Sequence, residues 1–244
     1  MRYGDDGCGC FPTGKNYPGI AHLLQRQVRG LASEWDAELD IAAMPIAMLD
    51  VETTGFDATS ERVIELGIVR SVGGQIVSRH NWMINPGKPI PPSSTAVHGI
   101  TDDDVKDKPA FAAVAAEIAE AMAGAWPAAY NADFDKGFVL QEFQRAGIAV
   151  DVPALRRDVQ WLDPLVWARH LYASEKSKKL GDIAALLGVE LENAHRASDD
   201  AEAALKVWFR MTADPRVPTK YGALVTEQRA HNQAQSDARR TWRS

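Results

Sequence analysis

The order of apolar and polar residues predicts one helix and then three strands in the first part of the chain. From Ile20 to Trp35 the apolar positions follow helical spacing, so an amphipathic helix is expected ahead of the main domain. A largely apolar run, Ile46–Val51, is short enough for a buried strand. Two further strands are predicted at Arg62–Arg70 and Gln75–Ile84, and Gly73-Gly74 between them favours a hairpin. Together the three strands predict an antiparallel meander.

The pattern changes in the second part, where helices alternate with short strand candidates. Ala128–Asn131 and Val159–Leu162 are the strand candidates, and the Pro- and Gly-containing residues 85–92 are predicted as a loop. Strands first, then strands alternating with helices, predict an α/β protein. Its mixed sheet would have the three antiparallel strands first and helices flanking it. Helical spacing is found at Phe111–Met122, Phe134–Arg145, Pro164–Tyr172, Leu180–Leu187 and Ser198–Met211, and in a polar segment from Lys220 towards Gln233.

Length and composition are those of a soluble globular protein with one main domain. The pattern predicts an N-terminal arm and helix in residues 1–44, the main domain in 45–213 and a helical tail in 214–244. Cys8 and Cys10 cannot link distant segments, and neither a signal peptide nor a membrane span is found, so a cytoplasmic protein is expected. The net charge of −6 argues against a protein that binds long nucleic acid through its own side chains alone. It is compatible with an enzyme that holds a chain end through bound metal.

The strand Ile46–Val51 leads into two carboxylates that are two residues apart. Asp50 and Glu52 would point to the same face of a strand, because side chains alternate along it. Like charges this close repel each other unless a cation lies between them, and a hard cation such as Mg²⁺ or Mn²⁺ prefers such oxygen ligands. Taken alone, the pattern also fits a strand that simply ends at a polar turn.

Two further acidic segments each lead into a predicted helix. In Tyr130–Asp135, Asp135 falls in the first helical turn, where the helix dipole favours an acid, although ordinary helix capping explains this segment as well. In the second segment, capping explains Ser198 but not His195 on the loop before the helix. A histidine can take a proton from water near neutral pH.

The three motifs occur together in one order along the chain. They are Asp-x-Glu-Thr at 50–53, Asn-Ala-x-Phe-Asp at 131–135 and His-x-Ala-x-x-Asp at 195–200. In this combination the chain resembles the DEDDh exonucleases, the DnaQ-like or DNA polymerase III epsilon-like 3′-5′ exonuclease family, which has an RNase H-like fold. The resemblance runs from Ile46 to Met211, with weaker matches between the motifs, such as Ala96–Thr101.

The resemblance implies an active site of four carboxylates and one histidine. Asp50, Glu52, Asp135 and Asp200 would hold two Mg²⁺ (or Mn²⁺) ions, and His195 would be the general base that deprotonates the attacking water. The product would be a nucleoside 5′-monophosphate. All five positions are filled here, which speaks against a chain that has lost catalysis.

Substrate contacts are implied by the resemblance at four further residues. Thr53, Thr54 and Phe56 follow the first motif, where relatives hold the terminal nucleotide, and His98 lies where relatives also contact substrate. Phe56 fits a stacking role on a base and a place in the core equally. One residue departs from the family pattern, since Tyr130 stands where many relatives have histidine. This change would affect substrate contacts rather than catalysis.

A short basic run precedes the Leu180–Leu187 helix. Lys176, Lys178 and Lys179 are better explained by a solvated loop, and phosphate contact stays open as the alternative.

The expected function is a 3′-5′ exonuclease acting on nucleic-acid 3′ ends, with single-stranded DNA as the expected substrate, RNA as a further candidate, and proofreading or repair as its setting. One alternative is an RNA-trimming exoribonuclease of the same family. Another is a catalytically idle binding or polymerase-accessory module, in which the Ile20–Trp35 helix and the tail after Lys220 would dock a polymerase subunit.

Overall fold

The computed structural model describes residues 29–191 and 196–241, and they form a four-stranded mixed sheet with helices on both faces. The spatial order of the strands is β3-β2-β1-β4. β1, β2 and β3 are antiparallel, and β4 runs parallel to β1. The predicted fold class is therefore confirmed. The strands are β1 (Ile46–Thr53), β2 (Val63–Val72), β3 (Gln75–Met83) and β4 (Trp126–Ala129).

All eight α-helices of the described residues follow the third strand. Five of them lie where helical spacing predicted them, and the last is longer than predicted. They are α1 (Pro92–His98), α2 (Asp102–Val105), α3 (Phe111–Met122), α4 (Ala132–Ala146), α5 (Pro164–Leu171), α6 (Leu180–Leu186), α7 (Ala197–Met211) and α8 (Tyr221–Thr241), with 3-10 turns at Ile41–Ala43 and Pro153–Leu155. The short helices α1 and α2 were not predicted, because Pro- and Asp-rich stretches of four to seven residues show no apolar period.

Both faces of β1 are buried, which explains its nearly continuous apolar run. Ile46 and Met48 face a core shared with helices α5 to α8. Ala47 and Leu49, on the other face, pack in a core shared with α3 and α4. Asp50 and Glu52 continue the Ile46–Met48 face, so the strand alternation directs both carboxylates towards α7.

The prediction of a helix at Ile20–Trp35 is wrong for its described part. Residues 29–35 contain two turns and no helical residue, and residues 20–28 lie outside the described residues. Helical bonding is lost here because backbone groups of this region bond to distant partners. The N–H of Ala32 donates to the Tyr221 hydroxyl at 2.9 Å, and the carbonyl of Gly30 accepts from Gln160 N–H at 2.7 Å.

The prediction of a strand at Val159–Leu162 is also wrong. Leu162 makes a single parallel bridge to Ala128 and no ladder follows among the described residues. The segment instead leads into Asp163 and α5, where side-chain contacts replace sheet pairing.

Helix α8 packs closely on the rest of the fold. Tyr221, Leu224 and Val225 are buried in the core against α5 and α7. Gln228 is fully buried and bonds to the segment before α5: its amide donates to the Trp161 carbonyl, and its oxygen accepts from the N–H of Asp163. The division of the chain after residues 44 and 213 stays a prediction. Among the described helices, none is long and apolar enough to cross a membrane.

Candidate active site

Three of the predicted carboxylates meet at the end of β1. Asp50 and Glu52 lie on β1, Asp200 lies in the first turn of α7, and one oxygen from each lies within 4.8 Å of the others. Asp135, in the first turn of α4, accepts a hydrogen bond from the N–H of Val51 at 3.1 Å. All four acids line one open cavity of about 490 Å³. His195 lies outside the described residues.

A glycine on β2 allows α7 to approach the sheet. Gly67 pairs with Asp50 across the β1–β2 ladder. A Cβ atom at Gly67 would lie 2.3 Å from the backbone carbon of Ala197 and 2.3 Å from the nitrogen of Ser198. Only glycine therefore fits between the sheet and the start of α7, and this close approach brings Asp200 to Asp50. Gly67 was not predicted as a residue of the site.

The start of α4 is fixed by a carboxylate from outside the three motifs. Asn131 has a left-handed backbone with φ of 77°, the one positive φ at a non-glycine residue in the described chain. The Asp163 carboxylate accepts from the N–H groups of Asn131 and Ala132, each at 3.1 Å, and from Leu165 at 2.9 Å. Asp163 thus accepts from the N–H groups at the start of α4. The Asp135 carboxylate is therefore not used as a cap of this helix and bonds to β1 instead. Asp163 was not predicted, because its partners at the start of α4 lie 32 and 31 residues before it in the chain.

Burial and mutual repulsion raise the proton affinity of the clustered acids. The pKa of Asp50 lies well above its usual range because of burial and then the charges of Asp135 and Asp200. Burial, followed by the charges of Asp200 and Glu65, raises the pKa of Glu52 to about 7. Burial also raises the pKa of Asp135, against the effect of its backbone hydrogen bonds. A divalent cation would relieve this repulsion, so the donor set fits a hard metal ion.

A fifth carboxylate beside the cluster was not predicted. Glu65 is buried on β2 directly opposite Glu52. It accepts from the Asn81 amide at 2.8 Å and from the N–H of Ala197 at 3.5 Å, and the Arg196 guanidinium lies 3.8 Å away. Glu65 thereby holds the start of α7 on the sheet. An acid inside the otherwise apolar run of residues 63–69 was the available signal.

Of the four predicted substrate residues, Thr53, Thr54 and Phe56 closely follow Glu52 in the chain, whereas His98 lies far from the cluster in sequence. None of the four is among the described residues that line the cavity. Thr53 and Thr54 are buried, and their hydroxyls bond to the Gly55 carbonyl and to Glu61. His98 is buried at the end of α1, and its Nδ1 accepts from the N–H of Ile100 at 3.1 Å.

Phe56 is the exception to this burial. It is 91% exposed, so a place in the core is excluded. Its ring lies 6.5 Å from that of Phe134, which lines the cavity, so the two rings extend from the cavity to the surface. An exposed aromatic ring at this place is suited to stacking on a base.

Comparison with known proteins supports the class that the fold and site define. The profile of the RNase_T family, described as exonuclease, matches residues 47–208. The chain therefore belongs to this exonuclease family. The motif-based resemblance to DnaQ-like 3′-5′ exonucleases is confirmed, as is the enzyme class of phosphodiester hydrolase.

The similar curated relatives are large DNA polymerases. The chain is 33% identical over 174 residues to the PolC-type DNA polymerase III of Streptococcus pneumoniae, which covers 71% of this chain and 12% of that protein. It is 33% identical over 208 residues to the enzyme of Streptococcus thermophilus, which covers 85% of this chain and 14% of that protein. The chain thus matches only about an eighth of the length of these relatives.

Solved structures with the same fold are exonucleases. Escherichia coli exonuclease I in complex with a dT13 oligonucleotide has a TM-score of 0.61 and 22% identity, covering 72% of this chain and 42% of that chain. Exonuclease X in complex with 5′-overhanging duplex DNA has a TM-score of 0.56 and 23% identity, covering 74% of this chain and 99% of that chain. At this identity the likeness shows the shared fold.

Proposed function

We propose that this chain is a metal-dependent 3′-5′ exonuclease that releases nucleoside 5′-monophosphates, with DNA as its substrate. The observation that carries the proposal is the cluster of Asp50, Glu52 and Asp200, whose oxygens lie within 4.8 Å of one another in an open cavity. Raised pKa values at Asp50 and Glu52 support the proposal. Ionising such crowded carboxylates costs free energy, and a bound cation would remove that cost.

Asp50, Glu52, Asp135 and Asp200 would hold two Mg²⁺ or Mn²⁺ ions. Bound ions of this kind supply an activated water and stabilise the charge that develops on the leaving 3′-oxygen. Within the chain, Asp50 and Glu52 hold their place through the β1–β2 ladder, and Asp135 is fixed by the N–H of Val51. His195, by resemblance to the family motif, would accept the proton of the attacking water.

A DNA substrate and a link to replication or repair are supported by the relatives. The curated relatives are named as DNA polymerases, and the solved neighbours include complexes with DNA oligonucleotides. Phe56 would stack on a base near the 3′ end, since its ring is exposed beside the cavity. Thr53, Thr54 and His98 would shape the backbone around that base from buried positions. A polymerase subunit is the protein partner that fits these relatives.

The test compares single-stranded DNA and RNA oligomers of one sequence, each labelled at the 5′ end. Each is incubated with Mg²⁺, Mn²⁺ or EDTA, beside an Asp50→Asn variant that keeps the size of the side chain. A ladder of shortening DNA, lost in EDTA and in the variant, is the expected result. Faster shortening of RNA would move the function to an exoribonuclease. No shortening of either strand with either metal would refute catalysis and favour a binding or polymerase-accessory module.

A further inference from the structure

The cavity that holds the carboxylate cluster has one cationic side chain among its described lining residues, Lys179. Five acids line the same cavity: Asp50, Glu52, Asp135, Asp182 and Asp200. Lys179 is exposed and forms no ion pair with any described residue. An ammonium group at the rim of an acidic cavity, with no ion-pair partner in the described part of the chain, is suited to an anion that enters the cavity from solvent.

The backbone around Lys179 is held from both sides. On one side, the hydroxyl of Tyr130 donates to the carbonyl oxygen of Lys178 at 2.6 Å. On the other side, Leu180 packs against the core formed by α5 to α8, as does the Tyr130 ring. Burial raises the pKa of Tyr130 above its usual range, so the hydroxyl keeps its proton and stays a donor. The Cα of Lys179 is thus fixed between two anchored neighbours.

The other two lysines of the basic run do not share this position. The Lys178 ammonium bonds to the carbonyl oxygen of Glu175. Lys176 is exposed on a neighbouring cavity, which it lines with Ser174, Glu175 and Leu186 rather than with the carboxylate cluster. Of the three, only Lys179 lies on the cavity where a nucleic-acid strand would be cut.

We propose that Lys179 binds the backbone phosphate adjacent to the scissile phosphate on the same nucleic-acid strand. Tyr130 would position Lys179 for this contact. The inference rests on the proposed function for its ligand, a single-stranded phosphodiester. Metal ions on the carboxylates would neutralise the scissile phosphate, whereas at the next phosphate a cation of the protein would replace a solvent counterion. Tyr130 stands where many family members have histidine, and its bond to Lys178 gives this departure a role.

The test measures binding without hydrolysis, so it stands apart from the activity assay. Fluorescence anisotropy gives the Kd of a labelled single-stranded oligomer over a range of NaCl concentrations, in Mg²⁺. All proteins carry Asp50→Asn to prevent cleavage, and Lys179→Ala is compared with Lys176→Ala. Both variants lose one positive charge from the same run, so long-range electrostatics is matched between them.

The salt dependence decides the outcome. Each phosphate contact to a single strand contributes about 0.7 to the slope of log Kd against log salt concentration. Lys179→Ala is expected to lower that slope by about 0.7 relative to the parent protein, whereas Lys176→Ala leaves it unchanged. Equal slopes for the two variants would overturn the phosphate contact, even if the enzyme is active. If Lys179→Ala lowers the slope but the protein with Asp50 intact shortens no strand, the phosphate contact stands and only catalysis is refuted.

A second variant tests the positioning role of Tyr130. Tyr130→Phe keeps the packed ring and removes only the hydroxyl that bonds to the Lys178 carbonyl. Weaker oligomer binding with a slope between those of the parent and Lys179→Ala is expected. Binding and slope equal to the parent would refute the positioning role.

Discussion

Replacing Glu52 with glutamine is expected to stabilise the metal-free protein at alkaline pH while removing its activity. The pKa of Glu52 rises from 4.5 to about 7 on folding, because burial and the charges of Asp200 and Glu65 oppose ionisation. A pKa difference of about 2.5 corresponds to about 3.4 kcal/mol, at 1.36 kcal/mol per unit. This is an upper value for what the ionised Glu52 costs the metal-free fold. A glutamine side chain at this position would carry no charge and so avoid that cost.

The sign of the effect depends on pH. Below pH 4.5 Glu52 is protonated in both the folded and the unfolded chain, so it costs nothing there. Between pH 4.5 and 7 the folded chain retains a proton that the unfolded chain has lost, and the wild type loses stability as the pH rises. Above pH 7 the loss is complete. The glutamine variant should therefore gain little at pH 4.5 and most at pH 8.

Thermal unfolding in EDTA measures this gain directly. For a chain of this size about 3 kcal/mol corresponds to roughly 6–12 °C in Tm, so Glu52→Gln should melt higher than the wild type by up to that amount at pH 8. Glu120→Gln, an exposed change on α3, is the control for loss of one negative charge. Added Mg²⁺ should raise the Tm of the wild type more than that of Glu52→Gln. An equal or lower Tm for Glu52→Gln at pH 8, or an equal gain at pH 4.5, would refute the reasoning.

Two further changes test how the fold places the carboxylates. Gly67→Ala should lower both stability and nuclease activity, because its Cβ would lie 2.3 Å from the α7 backbone. Gly137→Ala is the matched control: its Cβ would meet nothing nearer than 3.9 Å, so it should stabilise α4 by about 1 kcal/mol. Urea unfolding with an activity assay checks both, and normal activity in Gly67→Ala would contradict the account. Gln228→Ala should lower the free energy of unfolding by about 1–3 kcal/mol, since the Asp163 N–H and the Trp161 carbonyl lose their partner. Gln233→Ala, exposed on the same helix, is its control, and equal urea midpoints would refute the role of Gln228.

The sheet and the position of two acids could be predicted because they depend on local pattern. The apolar run of β1, the Gly73-Gly74 turn and the alternation of side chains are properties of neighbouring residues. They suffice to place Asp50 and Glu52 on one face of a central strand. The convergence of Asp135 and Asp200 on that face was implied by the family motifs rather than by periodicity.

The remaining features depend on contacts between distant parts of the chain. Glu65 and Ala197 are 132 residues apart, and Gln228 and Asp163 are 65 residues apart, so no local pattern signals either pair. The same physics explains the wrong prediction at residues 29–35, where bonds to Gln160 and Tyr221 replaced helical ones. Helical spacing of apolar residues shows which face of a helix could be buried. The hydrogen-bond partners available in the fold determine the backbone conformation.

The direction and product of cleavage test the central claim most directly. A single-stranded DNA oligomer would carry one label on its 3′-terminal nucleotide and another at its 5′ end, and the released species would be identified by chromatography in Mg²⁺. The account predicts that the 3′ label leaves first as a nucleoside 5′-monophosphate, and that Asp200→Asn, which removes one charge of the cluster, abolishes its release. Release of the 5′ label first, internal cleavage, or a nucleoside 3′-monophosphate as the product would contradict it.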